Sequence, residues 1–255
     1  MAELKALIFD VDGTLAETER DGHRPAFNQA FADTGLGWDW TPELYGKLLK
    51  VSGGKERIRA YVKDDLGEFQ LPENFSDLDA MIKHLHATKT TYYKQYAAAG
   101  KIPLRPGVER LLNEARSEGV RLAIATTTTP ANVQALLENT LGAESLSWFE
   151  VIAAGDMVPQ KKPAPDIYEY ALEHLALPAD NCLAFEDTNN GLLSATPTGL
   201  KTVVTVNEYT KAQDFTGAKL VLSDLGTPEN PFTVLAGDAG DVTYFTVDLA
   251  RQLLG

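Results

Sequence analysis

Two carboxylates two residues apart, Asp10 and Asp12, follow a short apolar run and stand before Gly13-Thr14. Acids this close raise one another's pKa unless a cation compensates, and Mg²⁺ suits such a place: it takes oxygen ligands and leaves positions for a substrate phosphate. Three further stretches carry related chemistry. Thr126 ends the apolar run 122–125 and offers a hydroxyl to a phosphate oxygen, whereas Thr128 and Thr129 suit a turn or a helix cap better. Lys161-Lys162-Pro163 offers a cation that would neutralise a phosphate and a nucleophile together. Glu186-Asp187 close the apolar run 182–185, just before Asn189-Asn190-Gly191 opens a helix. The plain alternatives are a solvated Asp-x-Asp-Gly turn, a turn hydroxyl and an exposed lysine pair.

The elements that must position these groups follow from hydrophobic period and turn chemistry. Ala6 to Phe9 is too short for a helix and reads as a buried strand, with Asp10 at its carboxyl end. Ligands bind at that end of strands in an open α/β sheet. From Ala16 to about Gly100 the pattern is helical: Pro25 with Ala26, Phe27, Ala30 and Phe31 on one face, and Thr41-Pro42 opening a second helix. Gly53-Gly54 breaks the chain before a third helix at Lys55. Ser76 and Asp79 resemble a capping box for a long helix carrying Met81, Ile82, Leu85, Tyr92 and Tyr96. Beyond Gly100, strands and helices alternate: helix 108–117, strand 120–125, a helix from Pro130, strand 151–154, a helix from Pro165, strands 182–185, 201–206 and 219–222, and a last helix near 249–254. Alternation implies right-handed βαβ units and a parallel sheet. The helical block between the first strand and helix 108–117 has no place in that sheet and reads as a small inserted domain. Its hinges are expected near 16–18 and 102–105.

The chain has 255 residues and a formal net charge of −13 at pH 7. This balance disfavours nucleic acid and anionic membranes, which require a basic face. An anionic substrate must therefore be drawn in by a local cluster of Lys and Arg. The one cysteine, Cys182, lies in an apolar run, so it reads as core and suits a reducing compartment. No apolar run approaches a membrane span, and Met1-Ala2-Glu3 lacks the basic start of a secretory signal. A cytoplasmic monomer is expected, or one in a plastid stroma if the chain is a mature form.

Asp10-Val11-Asp12-Gly13-Thr14 after a hydrophobic strand resembles the first motif of the haloacid-dehalogenase-like (HAD) superfamily, and Thr126, Lys162-Pro163-Ala164-Pro165 and Glu186-Asp187 resemble its later motifs, in order. The resemblance implies an α/β fold: a Rossmannoid parallel sheet core, residues 1–16 and 104–255, with an inserted helical cap, residues 17–103. It implies Asp10 as nucleophile, Asp12 as acid/base, Thr126 and Lys162 on the phosphoryl group, and Mg²⁺ held by Asp10, Asp12 and Asp187 with Glu186 adjacent. Dehalogenase chemistry is disfavoured, because those relatives lack the second Asp and need no metal.

Cap loops facing the core are expected to set specificity through Glu17, His23, Arg24, Gly54, Lys55, Arg57 and Arg59, with Arg105 at the second hinge. Gly53-Gly54-Lys55 is the best of these, because exposed backbone N–H groups followed by a cation suit an anion. A second cationic cluster would suit a substrate with two phosphates. The stretches Asp21-Gly22-His23-Arg24, Gly53-Gly54-Lys55-Glu56-Arg57 and Leu104-Arg105-Pro106-Gly107 look like the CbbY-type branch of the family. That branch is linked to carbon fixation, which implies a sugar-bisphosphate phosphatase acting on a compound such as xylulose 1,5-bisphosphate. Ala195-Thr196-Pro197-Thr198-Gly199 departs from the Ala-rich helix end of relatives. Two rivals remain: a β-phosphoglucomutase-like transferase sharing every motif, and a non-catalytic receiver-like module, which needs no cap and is about half this length.

Overall fold

The structure is a computed structural model and describes residues 3–255, so the reading of Met1-Ala2 lies outside the described residues. Among them, seven strands form one sheet in the order β3-β2-β1-β4-β5-β6-β7: β1 (Ala6–Phe9), β2 (Arg121–Thr126), β3 (Phe149–Ala154), β4 (Cys182–Glu186), β5 (Lys201–Thr205), β6 (Leu220–Leu222) and β7 (Val234–Gly237). All neighbours are parallel except β6 and β7. All four residues of β1 are buried, as expected of a central strand covered on both faces. One face packs Leu7, Phe9, Leu122, Ile124, Leu183 and Phe185, and the other packs Ile8, Ala123, Ala184, Ile167 and Tyr168.

Register brings the chemistry together. Phe9 is level with Ile124 of β2 and with Phe185 of β4. The next residue on each strand is Asp10, Ala125 or Glu186, so acids far apart in sequence end side by side. The strand order reverses between β1 and β4, the position at which ligands bind in such sheets.

Between β1 and α5 (Val108–Ser117) lie α1 (Arg24–Asp33), α2 (Pro42–Leu48), α3 (Gly54–Ala60) and α4 (Leu78–Ala98). They enclose an apolar cluster of their own, built on Phe27, Phe31, Trp40, Tyr45, Ile58 and Leu85. The chain leaves and re-enters the sheet domain at one place: Arg105 N–H donates to Leu15 O at 2.9 Å and Glu17 N–H to Pro103 O at 3.1 Å. A π-helical turn, Glu19–His23, leads into α1, so helical structure starts before Pro25.

The remaining helices are α6 (Pro130–Thr140), α7 (Asp166–Leu175), α8 (Asn189–Ala195) and α9 (Val247–Leu254). Local details differ from the expectations in a few places. Asp77, not Ser76, caps α4 by accepting from Ala80 N–H at 2.7 Å, and the Ser76 hydroxyl donates to Asp77 instead. Tyr93 is the fully buried aromatic of α4, with Tyr92 and Tyr96 partly exposed at the edge of the core. The segment 196–198 is a short 3₁₀ turn that extends α8, ended by Gly199. Strand β7 has no counterpart in the sequence reading, because its four residues are exposed and give no burial pattern. Among the described residues no helix is long and apolar enough to cross a membrane.

Candidate active site

The carboxyl ends of β1, β2 and β4 share one buried charge cluster. Lys162 Nζ donates to Asp10 Oδ1 at 2.7 Å, to Glu186 Oε1 at 2.6 Å and to Ala125 O at 2.9 Å. Tyr168 OH donates to the same Glu186 oxygen at 2.5 Å, and Asn207 Nδ2 donates to Asp187 Oδ2 at 2.7 Å. Asp10, Glu186 and Asp187 are all buried, with one carboxylate oxygen from each lying within 4.8 Å of the others. Burial, reinforced by Glu186 and Asp12 and opposed by Lys162, pushes Asp10 up to about 7. Burial and the neighbouring Asp10 and Glu186 also lift Asp187 well above the carboxylate range. Burial works against a charge on Lys162, but Asp10 and Glu186 hold it above the ordinary lysine range.

One ammonium, bonded to Asp10 and Glu186, thus serves a cluster of three buried acids. A hard divalent cation fits this donor set: it accepts oxygen ligands and supplies the missing positive charge. Backbone packing keeps the acids in place. Gly13 has φ +78°, and a Cβ there would sit 2.3 Å from Asp187 Oδ2; a Cβ on Gly191 would meet the Glu186 carboxylate at 1.8 Å. Both positions therefore require glycine for close approach to an acid.

Asp12 borders the same cavity but has different partners. His23 Nε2 lies 2.9 Å from Asp12 Oδ1, and Lys89 Nζ lies 2.6 Å from His23 Nδ1. The Lys89 ammonium donates to Nδ1, which leaves the imidazole proton on Nε2, facing Asp12. Tyr93 stacks on the His23 ring at 4.4 Å. Burial works against the Asp12 anion, yet His23 above all holds it at about 2. Burial brings Lys89 down to about 8, against the pull of Asp12 and Glu19. The two acids, two residues apart, are therefore held in contrasting states.

A second cavity adjoins the first and shares Asp12, Glu19, Arg57 and Thr127 with it. Lys55, Lys161, Lys89 and His86 line it, as do Gly53 and Gly54. Arg57 Nη1 donates to Tyr45 OH at 3.0 Å, and Tyr45 OH donates to Glu19 Oε2 at 2.5 Å, a buried chain that fixes the wall between the cavities. Burial and nearby cations depress His86 to about 3, so it is neutral.

Asp10, Asp12, Lys162, Glu186 and Asp187 line the first cavity, and His23, Gly54 and Lys55 line the second. Thr126 is buried at the end of β2, where its hydroxyl accepts from Thr128 N–H at 3.3 Å; Thr127 lines both cavities. The other expected substrate contacts lie elsewhere. Arg105 is buried and spends its guanidinium on the carbonyls of Thr205 (3.0 Å), Val206 (2.6 Å), Ser223 (2.8 Å) and Gly13. Glu17 forms an ion pair with Arg105 Nε at 3.4 Å, because the two chain crossings lie together there. Arg24 lines a separate surface cleft with Arg20, Tyr96 and Lys101. Arg59 pairs with Asp79 at 2.7 Å on the exposed side of α3.

Sequence reasoning missed Lys89, Glu19, His86, Tyr168 and Asn207. A signal existed for Lys89: it falls at helical spacing between Leu85 and Tyr93, a lysine on the buried stripe of α4. None existed for Asn207, whose proximity to Asp187 depends on the pairing of β5 beside β4.

Comparison with known proteins gives consistent results. Residues 4–197 match the family model for haloacid dehalogenase-like hydrolases. Protein CbbY of Rhodobacter capsulatus is 52% identical over 88% of this chain and 94% of its own length. A plasmid-encoded CbbY of Cupriavidus necator is 49% identical over 89% and 88%. The crystal structure of CbbY from Rhodobacter sphaeroides in complex with phosphate superposes with TM-score 0.80 at 43% identity, over 87% of this chain and 94% of that one. A mutant of that protein, in complex with xylulose-(1,5)bisphosphate, superposes equally well. β-Phosphoglucomutase structures at 24% and 21% identity share the fold. The sheet order, the four motifs at its strand ends and in the loop after β3, and these identities lead to one assignment: the chain belongs to the haloacid dehalogenase-like hydrolases, within the branch formed by the CbbY proteins.

Proposed function

We propose that this hydrolase is a Mg²⁺-dependent phosphatase of sugar bisphosphates, with xylulose 1,5-bisphosphate as its foremost substrate, acting through an aspartyl-phosphate on Asp10. The observation that carries this reading is the pair of adjoining cavities: one holds Asp10, Asp12, Lys162 and the acid triad, and the other gathers Lys55, Lys161, Lys89 and Arg57. One phosphate would react in the first while the second anionic group rests among cations in the other. The bisphosphate held by the Rhodobacter sphaeroides mutant supports the choice of substrate. We also propose that residues 1–16 and 104–255 form the core and residues 17–103 a cap that closes over it. We take a monomer as the active unit, since residues of one chain line both cavities. One buried, unpaired cysteine accords with the cytoplasm.

In this mechanism a carboxylate oxygen of Asp10 attacks phosphorus, and the bond from phosphorus to the sugar oxygen breaks. Lys162 sets the Asp10 rotamer through Oδ1 and offsets charge on the transferring group, and a hydroxyl from Thr126 or Thr127 holds a phosphate oxygen. Asp12 gives a proton to the departing sugar oxygen, then takes one from the water that cleaves the acyl phosphate. His23 favours the anionic form of Asp12, the form needed for the water step, so proton donation requires that contact to loosen when substrate enters. Asp10, Asp187 and the Asp12 carbonyl, with Glu186 adjacent, would hold Mg²⁺, which supplies positive charge to the phosphoryl group when bound.

A phosphate-release screen over sugar mono- and bisphosphates, with and without Mg²⁺, tests the reading. The expected result is highest kcat/KM for a sugar 1,5-bisphosphate and only with the metal. Equal rates on monophosphates of the same sugars would count against the second subsite.

A further inference from the structure

In the second cavity one carboxylate already occupies two of the cations. Asp156, in the turn after β3, accepts from Lys55 Nζ at 2.8 Å through Oδ2 and from Lys161 Nζ at 3.0 Å through Oδ1. The two lysines come from opposite sides of the cleft, one from the start of α3 and one from the loop before Lys162. Each takes one oxygen of a single planar group, the way a pair of cations grips an anion. The Asp156 side chain is 63% exposed, so it can swing into water without stranding a buried charge. Lys161, at 17% exposure, stays in the cleft and keeps Glu56 Oε1 at 3.0 Å as its other partner.

We propose that Asp156 is a built-in placeholder for the second anionic group of the substrate, displaced from Lys55 and Lys161 when a sugar bisphosphate binds. This rests on the bisphosphate reading above. The exchange favours the substrate on charge alone, since a phosphate monoester carries about −1.5 to −2 at pH 7 against −1 for a carboxylate. A ligand with one phosphate has nothing to place between the lysines and leaves Asp156 where it is. Asp156 thereby sets how strongly the enzyme prefers two phosphates over one. In a chain of net charge −13, it also keeps the two lysines ordered and oriented before substrate arrives.

Steady-state kinetics on the full chain with Mg²⁺ tests this, using wild type, Asp156→Asn and Asp156→Glu against xylulose 1,5-bisphosphate and p-nitrophenyl phosphate. Losing an exposed carboxylate pair of this kind corresponds to roughly fivefold in affinity. Asp156→Asn is therefore expected to lower KM for the bisphosphate roughly fivefold relative to its effect on p-nitrophenyl phosphate, with Asp156→Glu restoring the wild-type ratio. An unchanged or raised bisphosphate KM in Asp156→Asn, with wild type still active on the bisphosphate, overturns the placeholder alone. Wild type active on p-nitrophenyl phosphate but not on any bisphosphate overturns the bisphosphate reading, and the placeholder with it. Circular dichroism melts of each variant confirm that the folded chain is being compared.

Discussion

Lys162 decides whether the buried acids can coexist. Its ammonium touches Asp10 and Glu186, both buried, so its loss leaves two desolvated carboxylates without their cation. Lys162→Met is expected to destabilise the metal-free protein by about 3 kcal/mol in urea denaturation, the scale seen when one partner of a buried pair is removed. Added Mg²⁺ should restore part of that loss, and a variant as stable as wild type would show that Lys162 is dispensable for charge balance. Asp10, Thr126 and Glu186-Asp187 were legible because each stands at the end of an apolar strand, and Lys162 because Pro-Ala-Pro follows it in the loop after β3. Their partners were less so: Tyr168 and Asn207 reach Glu186 and Asp187 only through tertiary packing. Lys89 is the exception, a cation on an otherwise apolar helical stripe, whose position within α4 was a usable signal.

At the scale of elements, Arg105 shows how a cation expected to meet substrate can serve the scaffold. It stands where the chain returns from the helical block, and its guanidinium joins the Gly13 turn to carbonyls after β5 and β6. All but the part-buried Ser223 carbonyl are buried, and an unpaired buried acceptor costs about 1–3 kcal/mol. Arg105→Met is expected to lower stability by roughly 3 kcal/mol and to lower kcat through the displaced Gly13 turn, with KM little changed. A raised KM with an unchanged melting temperature would restore Arg105 to the substrate. The strands β1 to β6 were readable as short apolar runs bounded by turn residues, and the helices α1 to α9 from helical period and start signals. Strand β7 was not: an exposed edge strand leaves no period to find. The register that sets Asp10 beside Glu186 was equally beyond local pattern, since it is fixed by which strand pairs with which.

For the whole molecule, the acid cluster makes stability depend on pH and metal together. Asp10 and Asp187 have folded pKa values raised above the ordinary carboxylate range, so the folded chain binds more protons than the unfolded chain between about pH 4 and pH 7. The contribution of these groups therefore falls as pH rises through that window. Metal-free protein is expected to melt at a lower temperature at pH 8 than at pH 5.5, and Mg²⁺ should raise the melting temperature more at pH 8 than at pH 5.5. A metal response independent of pH would place the ion away from these acids. The same cluster governs activity, since Asp10 is at once the proposed nucleophile and a proposed ligand. The most direct measurement is phosphate release from xylulose 1,5-bisphosphate by wild type and Asp10→Asn, each with Mg²⁺ and with EDTA. The account predicts release by wild type with Mg²⁺ alone, and none by Asp10→Asn although it melts as a folded protein. Release that persists in EDTA, or in Asp10→Asn, would contradict it.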